Sequence, residues 1–114
     1  MIKIIDSKIK ISELEEMASS KFGNLVKAVV DIGKEIMAID GELHADEEAL
    51  LLKNGSLQEN LWGINIYPGL GPDERVEFDS IINLRPRDGN STRGVDNEII
   101  RKKILLIINK MIIE

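Results

Sequence analysis

The sequence predicts an α+β fold: a mostly antiparallel sheet of four or five strands, packed on one face by an N-terminal and a long C-terminal helix. Three observations predict it. β-branched runs separated by short turns fill the middle of the chain, an early segment has apolar residues at helical spacing, and residues 96–113 form the strongest helical pattern. A chain of 114 residues suffices for one core. We therefore expect residues 1–114 to form a single domain.

The composition is typical of a globular protein, with 43% hydrophobic and 31% charged residues. The formal charge of −5 makes nucleic acid and anionic membranes unfavourable partners. Cysteine and long apolar runs are absent, and the stretch MIKIIDSKIKI is too polar for a signal core. These features predict a soluble cytoplasmic protein without membrane attachment. About a sixth of the residues are isoleucine, and lysine and glutamate dominate the charges, a pattern compatible with a heat-adapted prokaryote or an AT-rich genome.

The first elements follow from β-branched runs and helix signals. Residues 2–5 and 9–11 predict a short opening strand. Ser12 and Glu15 have the spacing of a capping box, which predicts that the first helix begins there, and Gly23 is expected to end it.

A β-hairpin is predicted next. The runs LVKAVVDI and EIMAI flank a turn at Gly33 and Lys34. If the second strand continues through Leu43, Asp40, Glu42 and His44 share one polar face. Asp46 is then expected to cap a short helix EEALLLKN that ends at Gly55.

Two more strands, LWGINIY and RVEFDSIINL, are predicted on either side of the turn-rich loop PGLGPDE. The closing helix DNEIIRKKILLIINKMII has a core stripe at Ile100, Ile104, Ile107, Ile108 and Met111. Leu105, Leu106 and Ile112 extend its apolar surface beyond one face. Either sheet and loops cover these three residues, or they form a homodimer contact.

His44 is the only histidine, and it lies among carboxylates in GELHADEEALLL. With Glu42 and Asp46, and Glu77 or Asp79 from a neighbouring strand, it could provide an N/O ligand set for a metal ion or act as an acid or base. The commoner role of a lone histidine at a strand end is a structural hydrogen bond. His44 is thus a candidate metal ligand, and His44, Glu42 and Asp46 are candidate catalytic residues.

The segment NLRPRDGNSTRGV contains three of the five arginines, Arg85, Arg87 and Arg93, just before the last helix. Guanidinium groups and free amides at a helix N-terminus can hold an anion, although local salt bridges in a solvated loop would use the same residues.

Asn65 and Asn83 lie in apolar runs, where asparagine usually indicates a specific hydrogen bond. We expect one face of the sheet to present a polar group of five residues, Glu42, His44, Asn65, Asn83 and Arg85.

The stretches GELHADEEALLL, GSLQENLWGINIYP and FDSIINLRP, together with the closing helix, resemble a family of short uncharacterised prokaryotic proteins, a domain of unknown function. The likeness covers nearly the whole chain. The resemblance implies a family and supplies no residue roles.

The residues favour a binding module for a small anion, held by Arg85, Arg87 and Arg93 and oriented by Asn65, Asn83 and His44. One alternative is a metal-assisted hydrolase that uses His44 and nearby carboxylates. Another is a homodimeric interaction protein without a ligand. The sequence assigns no cofactor and leaves open whether the protein is an enzyme.

Overall fold

The computed structural model describes residues 1–114 and contains seven strands and three α-helices. In chain order these are β1 (Lys3–Ile5), β2 (Ile9–Lys10), α1 (Ile11–Ser20), β3 (Val26–Asp31), β4 (Ile36–Ile39), α2 (His44–Lys53), β5 (Leu61–Ile66), β6 (Val76–Glu77), α3 (Glu98–Met111) and β7 (Ile112–Ile113). Five strands form one sheet in the order β1-β4-β3-β5-β6, and every neighbouring pair is antiparallel. The predicted α+β class and antiparallel sheet are confirmed.

The two faces of the sheet are buried by different helices. Alternate residues such as Ala28, Val30 and Ile64 join side chains of α1 and α3 in a core of 17 buried residues. Val29 and Leu61 face the other way and pack on Leu51 of α2. The predicted packing of α1 and α3 on one face is confirmed, but the second face is covered by α2 instead of lying open to solvent.

A separate parallel pair of strands joins the two ends of the chain, which the sequence did not predict. Ile9 of β2 pairs with Ile112 of β7. Ile112 is therefore buried, with 6% of its surface exposed, and belongs to the main core. For Ile112 the first of the two alternatives holds, since its own chain covers it, whereas Leu106 is 72% exposed and Leu105 is half-buried.

The strand expected to run through Leu43 ends at Ile39. Asp40 has a left-handed backbone with φ of 69°, and the Gly41 amide donates to Glu47 Oε2 at 2.8 Å. This turn redirects the chain so that α2 begins at His44, with Leu43 and not Asp46 at the N-cap. Glu42 and His44 consequently do not share a strand face.

The two ends of α1 differ in how well the sequence predicted them. Its start does not use the Ser12–Glu15 capping box, because the helix already begins at Ile11 and no side chain caps it. Its end is as predicted: Gly23 has φ of 92°, and its amide donates to the Ala18 carbonyl at 2.6 Å.

Only the first part of RVEFDSIINL pairs as a strand, where Val76 and Glu77 form β6. The chain then leaves the sheet, because Ser80 donates its amide to the Arg93 carbonyl at 2.9 Å and caps a 3₁₀ turn at Ile81–Asn83. The strand predicted beyond Glu77 therefore does not form. A second 3₁₀ turn, Pro86–Asp88, and an isolated bridge between Arg85 and Asn90 complete the loop before α3.

The molecule has a Cα radius of gyration of 12.8 Å, close to the value of about 13 Å for a compact domain of this length. None of its helices combines the length and the apolar character that crossing a membrane requires.

Candidate functional site

The structure does not bring the five residues of the predicted polar group together. His44 and Asn65 lie on the α2 side of the sheet, where Lys27, Asp79 and Arg93 are also near. Glu42 is exposed in the loop between β4 and α2. Asn83 is enclosed beside β5, and Arg85 lies against Trp62, whose side chain belongs to the opposite core.

His44 is a buried, neutral side chain. Its Nε2 lies 2.7 Å from the Ile64 carbonyl oxygen. A carbonyl can only accept, so Nε2 carries the proton and Nδ1 is the basic nitrogen. Burial lowers the pKa of His44, opposed by the Ile64 hydrogen bond. Nδ1 makes no hydrogen bond within the chain.

The predicted metal ligands do not assemble around His44. Glu42 and Asp46 are both exposed, and no three histidine, aspartate or glutamate side chains in the protein lie close enough to hold a metal ion. His44 therefore has no ligand set to complete.

Asn65 and Arg93 are committed to neighbouring carboxylates. Asn65 Nδ2 donates to Glu77 Oε1 at 2.9 Å, while its Oδ1 is enclosed without a donor. Arg93 Nε lies 2.8 Å from Asp79 Oδ1, so this guanidinium is already paired. Because both partners of that ion pair are about half exposed, the pair itself contributes little to stability.

Asn83 has no exposed surface, and its amide is used by the backbone. Its Oδ1 accepts from the Gly63 amide at 2.8 Å, and its Nδ2 donates to the carbonyls of Gly63 and Arg93, each at 2.9 Å. Asn83 makes the specific hydrogen bonds that its sequence context predicted, and it has no free polar atom for a ligand.

Glu47 is a buried carboxyl group that sequence reasoning missed. It has no exposed surface, and Oε1 has no donor. Burial raises the pKa of Glu47 to about 8, against the opposing Gly41 hydrogen bond. No sequence signal distinguishes Glu47 from its neighbours, because an acid in the first turn of a helix is ordinary.

Arg85 is half-buried and has no carboxylate partner. Its guanidinium donates to the carbonyls of Gln58 and Leu61, at 2.8 and 2.9 Å, and lies 4.1 Å from the centre of the Trp62 ring. The three ion pairs of the protein involve other residues. Burial lowers the pKa of Arg85, opposed by the charges of Glu48 and Asp88.

Arg85 and Trp62 line a cavity of about 470 Å³ at the start of α3. Its other polar and apolar lining side chains are Glu59, Asp88, Asn90, Asn97 and Ile100. Asn97 caps α3, because its Oδ1 accepts from the Ile99 and Ile100 amides at 2.8 and 3.1 Å. Arg87 is exposed and lies outside the lining.

Most of these lining residues were not predicted. Of the lining residues, only Arg85 was predicted as a ligand-binding residue; Trp62, Glu59, Asn90 and Asn97 were not. The one available signal was that the chain has a single tryptophan and three arginines shortly before a strong helix.

The family model for a protein of unknown function, DUF5674, matches residues 3–111. The chain belongs to the DUF5674 family. No curated protein and no solved structure matches it. The predicted resemblance to a family of unknown function is thus confirmed over nearly the whole chain, and the cavity residues all lie within the DUF5674 match.

Proposed function

We propose that this DUF5674 protein is a binding module whose ligand is a small molecule with an anionic group, held in the cavity beside Arg85. The observation that supports this most directly is that Arg85 has no ion-pair partner. Its side chain is half-buried and lines a cavity, yet no carboxylate lies within ion-pair distance. An anion in the cavity would supply the missing partner.

Unpaired donors add a second reason. Arg85 Nε and Trp62 Nε1 are both enclosed, and neither has an acceptor within the chain. An unsatisfied buried donor destabilises a protein by about 1–3 kcal/mol. A ligand oxygen brought near the stacked pair by a small side-chain shift would offset part of that penalty.

The volume and location of the cavity also suit a ligand. About 470 Å³ lies within the usual range of small-molecule sites. The cavity adjoins the first turn of α3, whose helix dipole favours negative charge. Of the three predicted arginines, only Arg85 belongs to this site, since Arg93 is paired with Asp79 and Arg87 lies outside the lining.

The fluorescence of Trp62, the only tryptophan, reports on this cavity. We expect inorganic phosphate or acetate, added at constant ionic strength, to change the emission of the wild type in a saturable way. Arg85→Gln should weaken the binding at least about tenfold, because it removes the charge and one arm of the guanidinium fork. Arg87→Gln, a neighbouring exposed arginine outside the lining, is the matched control and should bind like the wild type.

A second variant distinguishes a loss of anion binding from a loss of folding, which could also explain weak binding by Arg85→Gln. Asn97→Asp keeps a good N-cap for α3 and adds a negative charge to the cavity lining. It should weaken anion binding while circular dichroism and the melting temperature stay close to the wild type. Saturable binding that is equal in all four proteins, or no anion-dependent change in any of them, would contradict the proposal.

The homodimer remains a second proposal because two exposed apolar residues lie on one stripe of α3. Ile99 is 77% exposed and Leu106 is 72% exposed, and a spacing of seven residues places them on the same side of the helix. Sedimentation of the wild type and Leu106→Glu tests it. A dimer that dissociates in the variant supports the contact, and a monomeric wild type excludes it.

A further inference from the structure

We infer that the ligand of the Arg85 cavity carries a cationic group as well as its anionic group, as a free amino acid or another amino carboxylate does. This inference rests on the proposed function, because it concerns the same cavity. The proposed function requires only an anionic group in the ligand, and the lining residues indicate which class of molecule carries it.

The charges of the lining carry the inference. Arg85 contributes one positive charge, whereas Glu59 and Asp88 contribute two negative charges, so the lining has a net charge of −1. A simple anion drawn to Arg85 would be repelled by both carboxylates. A ligand with both charges would place each beside an opposite one.

Neither carboxylate has a hydrogen-bonding role in the fold. Glu59 and Asp88 are exposed, they take part in none of the three ion pairs, and their side chains accept no hydrogen bond from the chain. By contrast, Asp31 and Asp96 accept hydrogen bonds that hold their local turns. The two cavity carboxylates are therefore free to accept from a ligand.

An alkylammonium group fits these acceptors best. It is a compact charge with three donors, so it can meet carboxylates in several directions, unlike the planar fork of a guanidinium. Trp62 and Ile100 offer apolar contact for the carbon chain between the two charges. Asn97 Nδ2, which has no acceptor in the chain, is a further donor for the anionic end.

Two matched series of probes test the inference through Trp62 fluorescence. One series is glycine to 6-aminohexanoate, and the other is the carboxylates of equal length without the amine, acetate to hexanoate. We expect one amino carboxylate to bind the wild type about fivefold more tightly than its matched carboxylate, the scale of an exposed ion pair. The length that binds best would give the separation of the two charges.

Variants of the carboxylates assign the preference to the cavity. Glu59→Gln and Asp88→Asn should each reduce the preference for the amino carboxylate, and each should strengthen the binding of the plain carboxylate by removing repulsion. Glu74→Gln, which neutralises an exposed glutamate outside the lining, is the control and should keep the wild-type preference.

The outcomes separate the two proposals. If plain carboxylates bind as tightly as amino carboxylates, and their binding still depends on Arg85, the inference is overturned and the proposed function stands. If neither series nor phosphate binds in an Arg85-dependent way, both are overturned. An unchanged preference in Glu59→Gln and Asp88→Asn would overturn the assignment of the amine to these two carboxylates.

Discussion

The side-chain amide of Asn83 forms hydrogen bonds with both backbone polar groups of Gly63: Oδ1 accepts from the Gly63 amide at 2.8 Å and Nδ2 donates to its carbonyl at 2.9 Å. Strand β6 pairs only with Asn65 and Ile66, so the earlier part of β5 has no neighbouring strand on this side. Asn83 takes the place of that strand at Gly63, and Arg85 does so at the Leu61 carbonyl. Two residues predicted to bind a ligand thus cover an open sheet edge.

Replacing Asn83 by alanine should strongly destabilise the protein. The substitution leaves the Gly63 amide and carbonyl unpaired in a buried place, whereas the Arg93 carbonyl keeps its hydrogen bond from the Ser80 amide. We expect the free energy of unfolding to fall by about 3 kcal/mol or more, measured by urea denaturation. Asn24→Ala, at an exposed asparagine, is the control and should change it by less than about 0.5 kcal/mol. If Asn83→Ala lowered the free energy of unfolding by less than about 0.5 kcal/mol, water would have to replace the Asn83 side-chain amide as the partner of Gly63.

Gly63 has no room for a side chain. A Cβ at this position would lie 2.5 Å from the Ser80 Cβ and 2.6 Å from its Oγ. Gly63→Ala should therefore lower the free energy of unfolding by about 1–3 kcal/mol, because the turn after β6 must move away from β5.

Gly69 provides the matched control for Gly63. A Cβ there meets no atom within 4 Å, and its φ is not positive. Gly69→Ala should be neutral or stabilising by up to about 1 kcal/mol, since it lowers the entropy of the unfolded chain. If thermal unfolding ranked the two variants the other way, the close contact of Gly63 with Ser80 would not exist in solution.

Glu47 should make stability depend on pH. Burial raises the folded-state pKa of Glu47 from 4.5 to about 8, so between these values the native state holds a proton that the unfolded state has released. The contribution of Glu47 is therefore fully present below about pH 4.5 and is lost as the pH rises towards 8. Glu47→Gln keeps a neutral acceptor for the Gly41 amide without titrating.

The stability of Glu47→Gln relative to wild type should thus increase with pH by up to about 1.4 kcal/mol per unit within this window and level off above pH 8. Urea unfolding of both proteins at a series of pH values measures this difference in the free energy of unfolding. The contributions of the other titrating groups cancel in the difference. Glu74→Gln, at an exposed glutamate, should show no such trend. A difference that stays constant from pH 4.5 to 8 would mean that Glu47 is ionised in the fold.

His44 should be neutral at pH 7 with its proton on Nε2. Burial lowers its pKa, and the Ile64 carbonyl fixes the tautomer. The ¹⁵N shifts of the imidazole should show this tautomer and a midpoint below the ordinary value of 6.5. Because the unfolded chain takes up the proton first, His44 should lower stability as the pH falls below 6.5. A midpoint above 6.5, or a shift of these resonances on adding Zn²⁺, would contradict this structure of the site.

Local patterns were sufficient to predict several elements. The hairpin of β3 and β4, the end of α1 at Gly23 and the long α3 all follow from residues close in sequence, since periodicity and turn chemistry act over a few residues. The end of β4 was missed because its cause is the buried carboxyl group of Glu47, eight residues beyond Ile39. Strand alternation continued past Ile39 places His44 on a strand, whereas His44 is the first residue of α2.

By itself the sequence determined the α+β class, the antiparallel sheet, the two helices on one face and the family. The tertiary structure alone decided which polar residues meet. Arg93 pairs with Asp79 from 14 residues away, while Arg85, eight residues before Arg93, stacks on Trp62 from another strand. Spacing along the chain predicts a periodic face, but a polar side chain bonds with whatever partner the folded chain brings within about 3 Å. The separation of the arginines, and the cavity that only Arg85 enters, follow from those long-range partners.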